Sequence, residues 1–285
     1  MTAPTLQYEV VDVFTSVAFA GNPLAVVLDA DELTTGQLQA LAREFNLSET
    51  AFPLGAPAGA SYGLRIFTPT VELPFAGHPS VGAAWVLHRL GRLPAGDVVQ
   101  SCGAGLLPVT VTSEGAALTG GAVSCGEPVD PAPLLAAVGL VAGDLVGPAP
   151  RWAGAGIDFG YLLVTPDAVG RARPDLSRLA AVGGAGISVS AWDGGTARTR
   201  VFAGGVGVAE DAATGSAALG FGIFLAAAGL LADGGVPYVV SQGVELGRPS
   251  TLTCTVQVAG GRAVRTTVAG RVVPVARGEV RLPPA

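Results

Sequence analysis

The feature that most constrains this chain is a pair of similar segments, each a short strand, a loop and a helix of small and apolar residues. In the first segment, Arg65–Phe67 forms the strand and Ser80–Leu90 forms the helix. In the second, Arg200–Phe202 repeats the strand and Ala217–Leu230 repeats the helix. A helix that is apolar on almost every side is buried in a core. The repeat therefore predicts two similar halves, each with its own central buried helix.

The pattern around these helices predicts the α+β class, with many strands wrapping one buried helix in each half. Alternating strands and glycine turns occur before and after both helices. We set the boundary between the two pseudo-symmetric halves near residue 127, which gives domains 1–127 and 128–285. A chain of 285 residues is long enough for two such cores.

The composition excludes several classes of function. All 16 basic residues are arginine, so neither a lysine Schiff base nor a P-loop lysine is available. A net charge of −6 without a basic tract argues against a nucleic-acid partner. The longest apolar run, around Phe221–Leu231, is too short and too rich in glycine to span a bilayer. With no signal-peptide pattern at the N-terminus, we expect a cytoplasmic protein without a membrane partner.

Metal and cofactor sites are not expected. The two histidines lie ten positions apart, without clustered carboxylates, which does not suit a metal site. Short glycine-rich fragments lack the strand–helix context of a dinucleotide site. The three cysteines are scattered and form neither a disulfide framework nor a zinc motif, and we expect them to be reduced thiols: Cys102, Cys125 and Cys254.

Glu49 is the first candidate site residue. It lies between Leu47 and Phe52, where a predicted helix gives way to a strand. A carboxyl group in such an apolar setting is expected to have a raised pKa, which suits an acid that also acts as a base. The alternative is structural, with Asn46 as an N-cap and Glu49 as its capping-box partner.

The starts of the two apolar helices are the next candidates. His78 ends the first loop, and Pro79 after it fits the first turn of a helix. An exposed helix N-terminus suits binding of an anion. We expect the N–H groups of Gly77–Val81 and Thr214–Ala218 to be free for a carboxylate. Alternatively, His78 is only a loop histidine bonded to the backbone.

Other polar residues have structural interpretations of similar weight. Asp211 and Ser216 could simply cap the second helix. Arg65 and Arg200 alternate with apolar residues and could be the polar face of their strands. His88, late in the first helix, is predicted to be structural.

Short motifs along nearly the whole chain point to a family. They are Asp12–Thr15, Gly21–Pro23, Asn46–Thr50, the segment from Phe67 to Pro79, the segment from Glu210 to Ala217, and Gln242–Gly243 with Gly247–Ser250. Together, in this order, they resemble the PhzF-like family of phenazine-biosynthesis isomerases. The resemblance implies the diaminopimelate-epimerase-like fold, in which each half is a β-barrel-like sheet around a central helix. It also implies that the last strand can cross back to the first half and that the protein is a homodimer.

The resemblance further implies a proton shift in a small carboxylate-bearing substrate, as in the isomerisation of trans-2,3-dihydro-3-hydroxyanthranilate, without a cofactor. Glu49 matches the acid/base of the family, and His78 and Asp211 match two assisting catalytic residues. The residues expected to bind substrate are Gly77, Ser80, Thr214, Gly215, Ser216 and Gln242.

The chain also departs from the family pattern, which leaves the substrate open. Ala212 stands where proline is common, Ser80 where threonine is usual, and Ala203–Gly205 replaces a proline-containing turn. One alternative function is an epimerase or racemase, although in this fold two-base racemisation uses cysteines at the helix starts, and none lies near them in sequence. Another is a non-catalytic small-molecule binding protein of the same fold.

Overall fold

The computed structural model describes residues 4–284, with only the backbone at Val206. The chain divides into two compact units. The first contains the residues up to Thr119 together with those from Ala269 onward, and the second is Gly120–Val268. The boundary predicted at residue 127 is therefore too late. The physical reason is that the strand Val123–Cys125 pairs with Arg151–Ala155 inside the second unit.

The described part of the first unit contains two helices, α1 (Thr35–Phe45) and α2 (Gly77–Arg89). Its strands are β1 (Thr5–Val13), β2 (Asn22–Val27), β3 (Glu49–Leu54), β4 (Tyr62–Phe67), β5 (Glu72–Leu73), β6 (Gly96–Cys102), β7 (Gly105–Val111) and β8 (Gly115–Thr119). Every residue of α2 from Gly77 to Leu87 is buried. The helix packs against β1, β2, β3, β7 and β8, so it is the core element that the sequence predicted.

The second unit contains four helices, α3 (Pro131–Ala137), α4 (Pro166–Arg171), α5 (Leu176–Val182) and α6 (Gly215–Ala227). Its strands are β9 (Val123–Cys125), β10 (Arg151–Ala155), β11 (Asp158–Leu163), β12 (Ile187–Trp192), β13 (Thr196–Ala203), β14 (Val208–Asp211), β15 (Gly234–Gln242) and β16 (Ser250–Ala259). Short 3₁₀ turns lie at Ala142–Asp144, Gly204–Val206 and Val244–Leu246. The residues of α6 are buried from Gly215 to Ala226.

The two units repeat one order of strand pairings. In the first, β2 pairs parallel with β3, β3 antiparallel with β4, and β4 parallel with β6. In the second, β11 pairs parallel with β12, β12 antiparallel with β13, and β13 parallel with β15. The last strand, β17 (Arg262–Arg281), begins in the second unit and ends in the first, where it pairs with β1. The protein is thus a mixed α+β chain whose two units share a repeated strand pattern.

Both central helices begin earlier than the sequence indicated. Helix α2 starts at Gly77 rather than Ser80, because Ala76 is the extended N-cap residue and Pro79 is tolerated within the first turn. Helix α6 starts at Gly215 rather than Ala217 and ends at Ala227 rather than Leu230. Gly229 has φ of 71°, a left-handed conformation that stops the helix. His78 accordingly lies inside the first helical turn and not in a loop.

Candidate active site

Glu49 and His78 come together in the first unit. Glu49 is the first residue of β3, and His78 is the second residue of α2. Both are buried, with 8% and 2% of their surface exposed, and Glu49 Oε2 lies 3.6 Å from His78 Nε2. The capping-box alternative for Glu49 is wrong, because Asn46 is the left-handed C-cap of α1 and Glu49 already belongs to a strand.

The environment of His78 keeps its imidazole neutral. Burial lowers the pKa of His78 to about 3, and a hydrogen bond with the Pro23 backbone offsets this only in part. The Nδ1 atom lies 3.3 Å from Asn22 Nδ2, and Asn22 Oδ1 accepts a hydrogen bond of 3.1 Å from the Ser48 hydroxyl. A neutral histidine beside a carboxyl group can orient it or exchange a hydrogen bond with it without carrying charge.

The start of α2 offers fewer free donors than the sequence predicted. Pro79 has no N–H, and the Ser80 N–H donates to the Ala76 carbonyl oxygen at 3.4 Å. The Ser80 hydroxyl also donates to Ala76 O, at 2.9 Å, and accepts from Gln100 Nε2 at 3.0 Å. The expectation of free N–H groups throughout Gly77–Val81 is therefore wrong at Ser80. The N–H groups of Gly77 and His78 lie in the first turn, where the helix supplies no carbonyl oxygen four residues earlier to accept their hydrogen bonds.

A second polar cluster forms at the start of α6. Asp211 ends β14, and the Thr214 hydroxyl donates to Asp211 Oδ2 at 2.7 Å. The Gln242 amide closes the cluster: its Nε2 donates to Asp211 O at 2.8 Å and to Thr214 Oγ1 at 3.0 Å. Each of these three residues is at least 92% buried, Gln242 most completely. The structure thus brings together three of the predicted site residues of the second half.

Some of the backbone N–H groups at this helix start already donate hydrogen bonds within the protein. The Thr214 N–H donates to Gln242 Oε1 at 3.1 Å, and the Ala218 N–H donates to Thr214 O at 2.9 Å. The expectation of free N–H groups at these two positions is wrong. Gly215 and Ser216 lie in the first turn, where α-helix geometry supplies no carbonyl four residues back. They are the amides of this turn best suited to an anion.

Sequence reasoning missed the contact residues that hold these groups. Asn22 and Ser48 were noted only as parts of motifs, yet Asn22 lies beside the His78 ring and Ser48 donates to Asn22. Arg200 was read as the polar face of a strand, whereas it is 5% exposed and forms a bidentate ion pair with Glu210, the residue before Asp211. The available signal was the repeated Arg-x-Phe sequence, followed by a glutamate in each half.

Among residues 4–284, no group of three or more His, Cys, Asp or Glu side chains is arranged to hold a metal ion. In the same described part of the chain, no helix is long and apolar enough to cross a membrane. The three cysteines are free thiols, and none belongs to α2, α6 or the residues that begin them.

Comparisons with known proteins agree with the sequence motifs. The family model described as phenazine biosynthesis-like protein (PhzC-PhzF) matches residues 11–137 and 155–278. A trans-2,3-dihydro-3-hydroxyanthranilate isomerase of Pseudomonas fluorescens is 35% identical over 288 residues, covering 96% of this chain and 99% of the relative. An isomerase of Mesorhizobium japonicum, named as uncharacterized, is 36% identical, and the match covers 97% of this chain and 99% of that protein.

The fold has been seen in a related solved structure. A phenazine biosynthesis protein of the PhzF family from Bacillus anthracis superposes with a TM-score of 0.87 at 26% identity, covering 98% of this chain and all of the other. Family model, full-length relatives and solved structure thus agree over almost the whole chain. The chain belongs to the phenazine biosynthesis-like (PhzC-PhzF) family and is an isomerase of that family.

Proposed function

We propose that the protein catalyses a proton shift within a small carboxylate-bearing substrate, without a cofactor, as its Pseudomonas fluorescens relative is named for doing with trans-2,3-dihydro-3-hydroxyanthranilate. One observation carries the proposal: a buried carboxyl group, Glu49, lies 3.6 Å from a buried neutral imidazole, His78, at the start of a core helix. Buried acid/base pairs of this kind are typical of catalytic sites.

In this proposal Glu49 is the proton shuttle. Its carboxylate removes a proton from one carbon of the substrate, and the same carboxyl group returns a proton to another carbon, so that a double bond moves and no atom is gained or lost overall. A single group of this kind must act as base and then as acid. His78, held neutral by burial, supports Glu49 at short range without adding a charge that would fix its protonation state.

The remaining candidate residues are assigned to substrate binding. The first-turn amides of Gly77 and Gly215 lie at helix N-termini, which attract a carboxylate through their N–H groups and the helix dipole. In the second unit, Asp211 and Ser216 are polar side chains at such a helix start. Thr214 and Gln242 hold Asp211 in place through the hydrogen bonds described above, and Ser80 holds the first turn of α2.

The experiment that tests the proposal is Glu49→Gln, which keeps the shape of the side chain and removes its acid/base function. We expect turnover of trans-2,3-dihydro-3-hydroxyanthranilate to fall about 10²- to 10⁴-fold, the usual contribution of general acid–base catalysis. Affinity for substrate should change little. When the wild-type reaction runs in heavy water, deuterium should appear on the product carbon that receives the returned proton. Near-normal turnover by folded Glu49→Gln would contradict the assignment.

Substrate identity is tested separately. A panel of small carboxylates, screened by the shift each causes in the thermal midpoint, identifies those that bind the folded state, since a ligand stabilises by mass action. A ligand that binds without exchanging any carbon-bound hydrogen for deuterium would favour the non-catalytic alternative. The cysteine-based racemase alternative is disfavoured because burial raises the pKa of the Cys254 thiol, and that of Cys125 is also raised.

We further propose, from the family resemblance, that the protein works as a homodimer in the cytoplasm. The free state of all three cysteines agrees with a reducing compartment. Light scattering coupled to gel filtration measures the mass, and a value near the 28.2 kDa of one chain would contradict the dimer.

A further inference from the structure

Asn22 is a buried polar residue to which the proposed function gives no role. It is the first residue of β2, and only 1% of its surface is exposed. Gly21 before it has φ of 66°, and a Cβ there would lie 2.4 Å from the Val13 carbonyl oxygen, so the turn that delivers Asn22 requires glycine. The chain thus directs this amide inward at a fixed place.

The two ends of the Asn22 amide face different partners. Its Oδ1 accepts the hydrogen bond from the Ser48 hydroxyl at 3.1 Å. Its Nδ2 lies 3.3 Å from His78 Nδ1. An amide NH₂ group can only donate, so toward Asn22 the ring nitrogen acts as the acceptor, whereas the Pro23 backbone oxygen can only accept and favours a proton on the ring nitrogen that it faces. Where the contact with Asn22 outweighs the contact with Pro23, the proton of the neutral imidazole lies on the other nitrogen, Nε2.

The position of this proton matters because Nε2 is the atom nearest to Glu49, at 3.6 Å. With a proton on Nε2, His78 is a donor toward the Glu49 carboxylate and favours its base form. With the proton on Nδ1 and shared with the Pro23 carbonyl, Nε2 would instead present a lone pair and favour a protonated Glu49. The two tautomers therefore support opposite resting states of the proposed shuttle.

We propose that Asn22, oriented by Ser48, is a positioning residue that holds His78 in the Nε2–H tautomer, with its proton directed at Glu49. The catalytic consequence rests on the proposed function, whereas the tautomer itself does not. Asn22 acts through His78 and has no contact with the reacting atoms in this assignment. Partners that fix the tautomer of a functional histidine in this way are a general feature of histidine sites.

Nitrogen NMR of protein labelled with ¹⁵N-histidine tests the tautomer directly. The chain has only two histidines, so the spectrum holds two rings. His88 is the built-in reference: its Nδ1 lies 3.1 Å from the Leu93 carbonyl oxygen, which can only accept, so this ring carries its proton on Nδ1. His88→Gln removes that ring and assigns the spectrum. We expect His78 and His88 to show opposite tautomers at neutral pH.

Two substitutions extend the test to function. Asn22→Asp keeps the shape but presents a carboxylate to Nδ1, which should draw the proton to Nδ1. Asn22→Leu removes the amide and leaves the tautomer unfixed. We expect turnover to fall about 10- to 100-fold in both, the range seen when the partner that orients a functional histidine is lost. Circular dichroism and the thermal midpoint check that each variant is folded.

The outcomes separate this inference from the proposed function. An Nδ1–H tautomer of His78 in the wild-type protein overturns the inference, whatever the variants do. Asn22→Asp with an unchanged tautomer and unchanged turnover overturns it as well. An Nε2–H tautomer that depends on Asn22, in a protein where Glu49→Gln retains turnover, supports the positioning by Asn22 and contradicts only the role of Glu49.

Discussion

Arg65 and Arg200 each form an ion pair with a glutamate and lie over a phenylalanine ring, but in different surroundings. Arg65 forms two hydrogen bonds of 2.7 Å with Glu72, and its guanidinium lies 5.1 Å from the centre of the Phe67 ring. Arg200 forms two bonds of 2.7 Å with Glu210 and lies 4.9 Å from the Phe202 ring. The first pair is 27% and 37% exposed, whereas the second is 6% and 11% exposed.

The difference in burial changes what each pair does. Water screens the Arg65–Glu72 pair and can replace either partner, so its contribution to stability is small. The buried pair is tied into more of the chain, because Arg200 Nη1 also donates to the backbone oxygens of Val169 and Ala172. Glu210 directly precedes Asp211, so the buried pair fixes the backbone at a candidate site residue. One repeated motif thus serves as a surface contact in one unit and as an internal support in the other.

The largest expected effect comes from removing the acidic partner. Glu210→Ala leaves Arg200 charged and buried without its carboxylate, which should lower the free energy of unfolding by about 3–5 kcal/mol. Glu72→Ala, the matched control, should cost at most about 1 kcal/mol. Chemical denaturation of both variants measures the difference, and equal losses would show that the burial of the pair is unimportant.

A double substitution shows how much of the stability lost in Glu210→Ala is the penalty of leaving a buried charge unpaired. Arg200→Met with Glu210→Leu removes both charges together, and such replacements are often neutral or stabilising. We expect this variant to recover most of the stability lost in Glu210→Ala. Failure to recover would mean that the bonds of Arg200 to the backbone oxygens, rather than its pairing with Glu210, carry the stability.

The two helix starts also differ, and Thr214 gives the next largest effect. Ala76 caps α2 with no side-chain hydrogen bond, whereas the Thr214 hydroxyl bonds to Asp211 and Gln242. Thr214→Val keeps the shape of the side chain and removes these bonds. We expect it to lower the free energy of unfolding by about 1.5–3 kcal/mol, the usual contribution of a hydrogen bond to a charged partner. Thr214→Ser should restore most of the loss. A thermal midpoint for Thr214→Val equal to that of the wild type would contradict the role of this cluster.

The last expected effect depends on pH and concerns His78, which has no counterpart at the start of α6. Its pKa is about 3 in the folded state and about 6.5 in an unfolded chain, so the unfolded state binds more protons between these values. Stability from this group is present above pH 6.5 and falls as the pH drops toward 3, by about 1.4 kcal/mol per unit.

His78→Gln isolates this contribution. The difference in free energy of unfolding between wild type and variant, measured from pH 7 to pH 4, should shift in favour of the variant as the pH falls. A difference that does not change with pH would show that His78 titrates alike in both states and is not desolvated.

Much of the fold followed from local sequence. The all-round apolar character of α2 and α6 predicted their burial. Thr34 and Gln37 form the capping box that starts α1, a local motif. Asn46 is the left-handed residue that ends α1. These features depend on residues within a few positions of each other, so a sequence displays them directly. The placement of Glu49 at a strand start follows from the same kind of evidence.

The candidate site was predicted only in part. Glu49 and His78 were both candidates, but their separation of 3.6 Å depends on how β3 packs beside α2. Asn22, from a third segment, lies beside the His78 ring, and Ser48, next to Glu49 in the sequence, donates to Asn22. No spacing in the sequence encodes such a meeting, because these residues lie on three segments brought together only by tertiary packing.

By itself, the sequence determined which residue types are present, where the two core helices lie and that the chain repeats one structural unit. Tertiary structure alone decided that Arg200 is buried and Arg65 is not, that His78 is neutral, and that the amides at the helix starts are partly occupied. The physical reason is that burial and hydrogen-bond partners are properties of groups remote along the chain. The same Arg-x-Phe sequence therefore contributes differently to the stability of the two units, depending on the residues that pack around it.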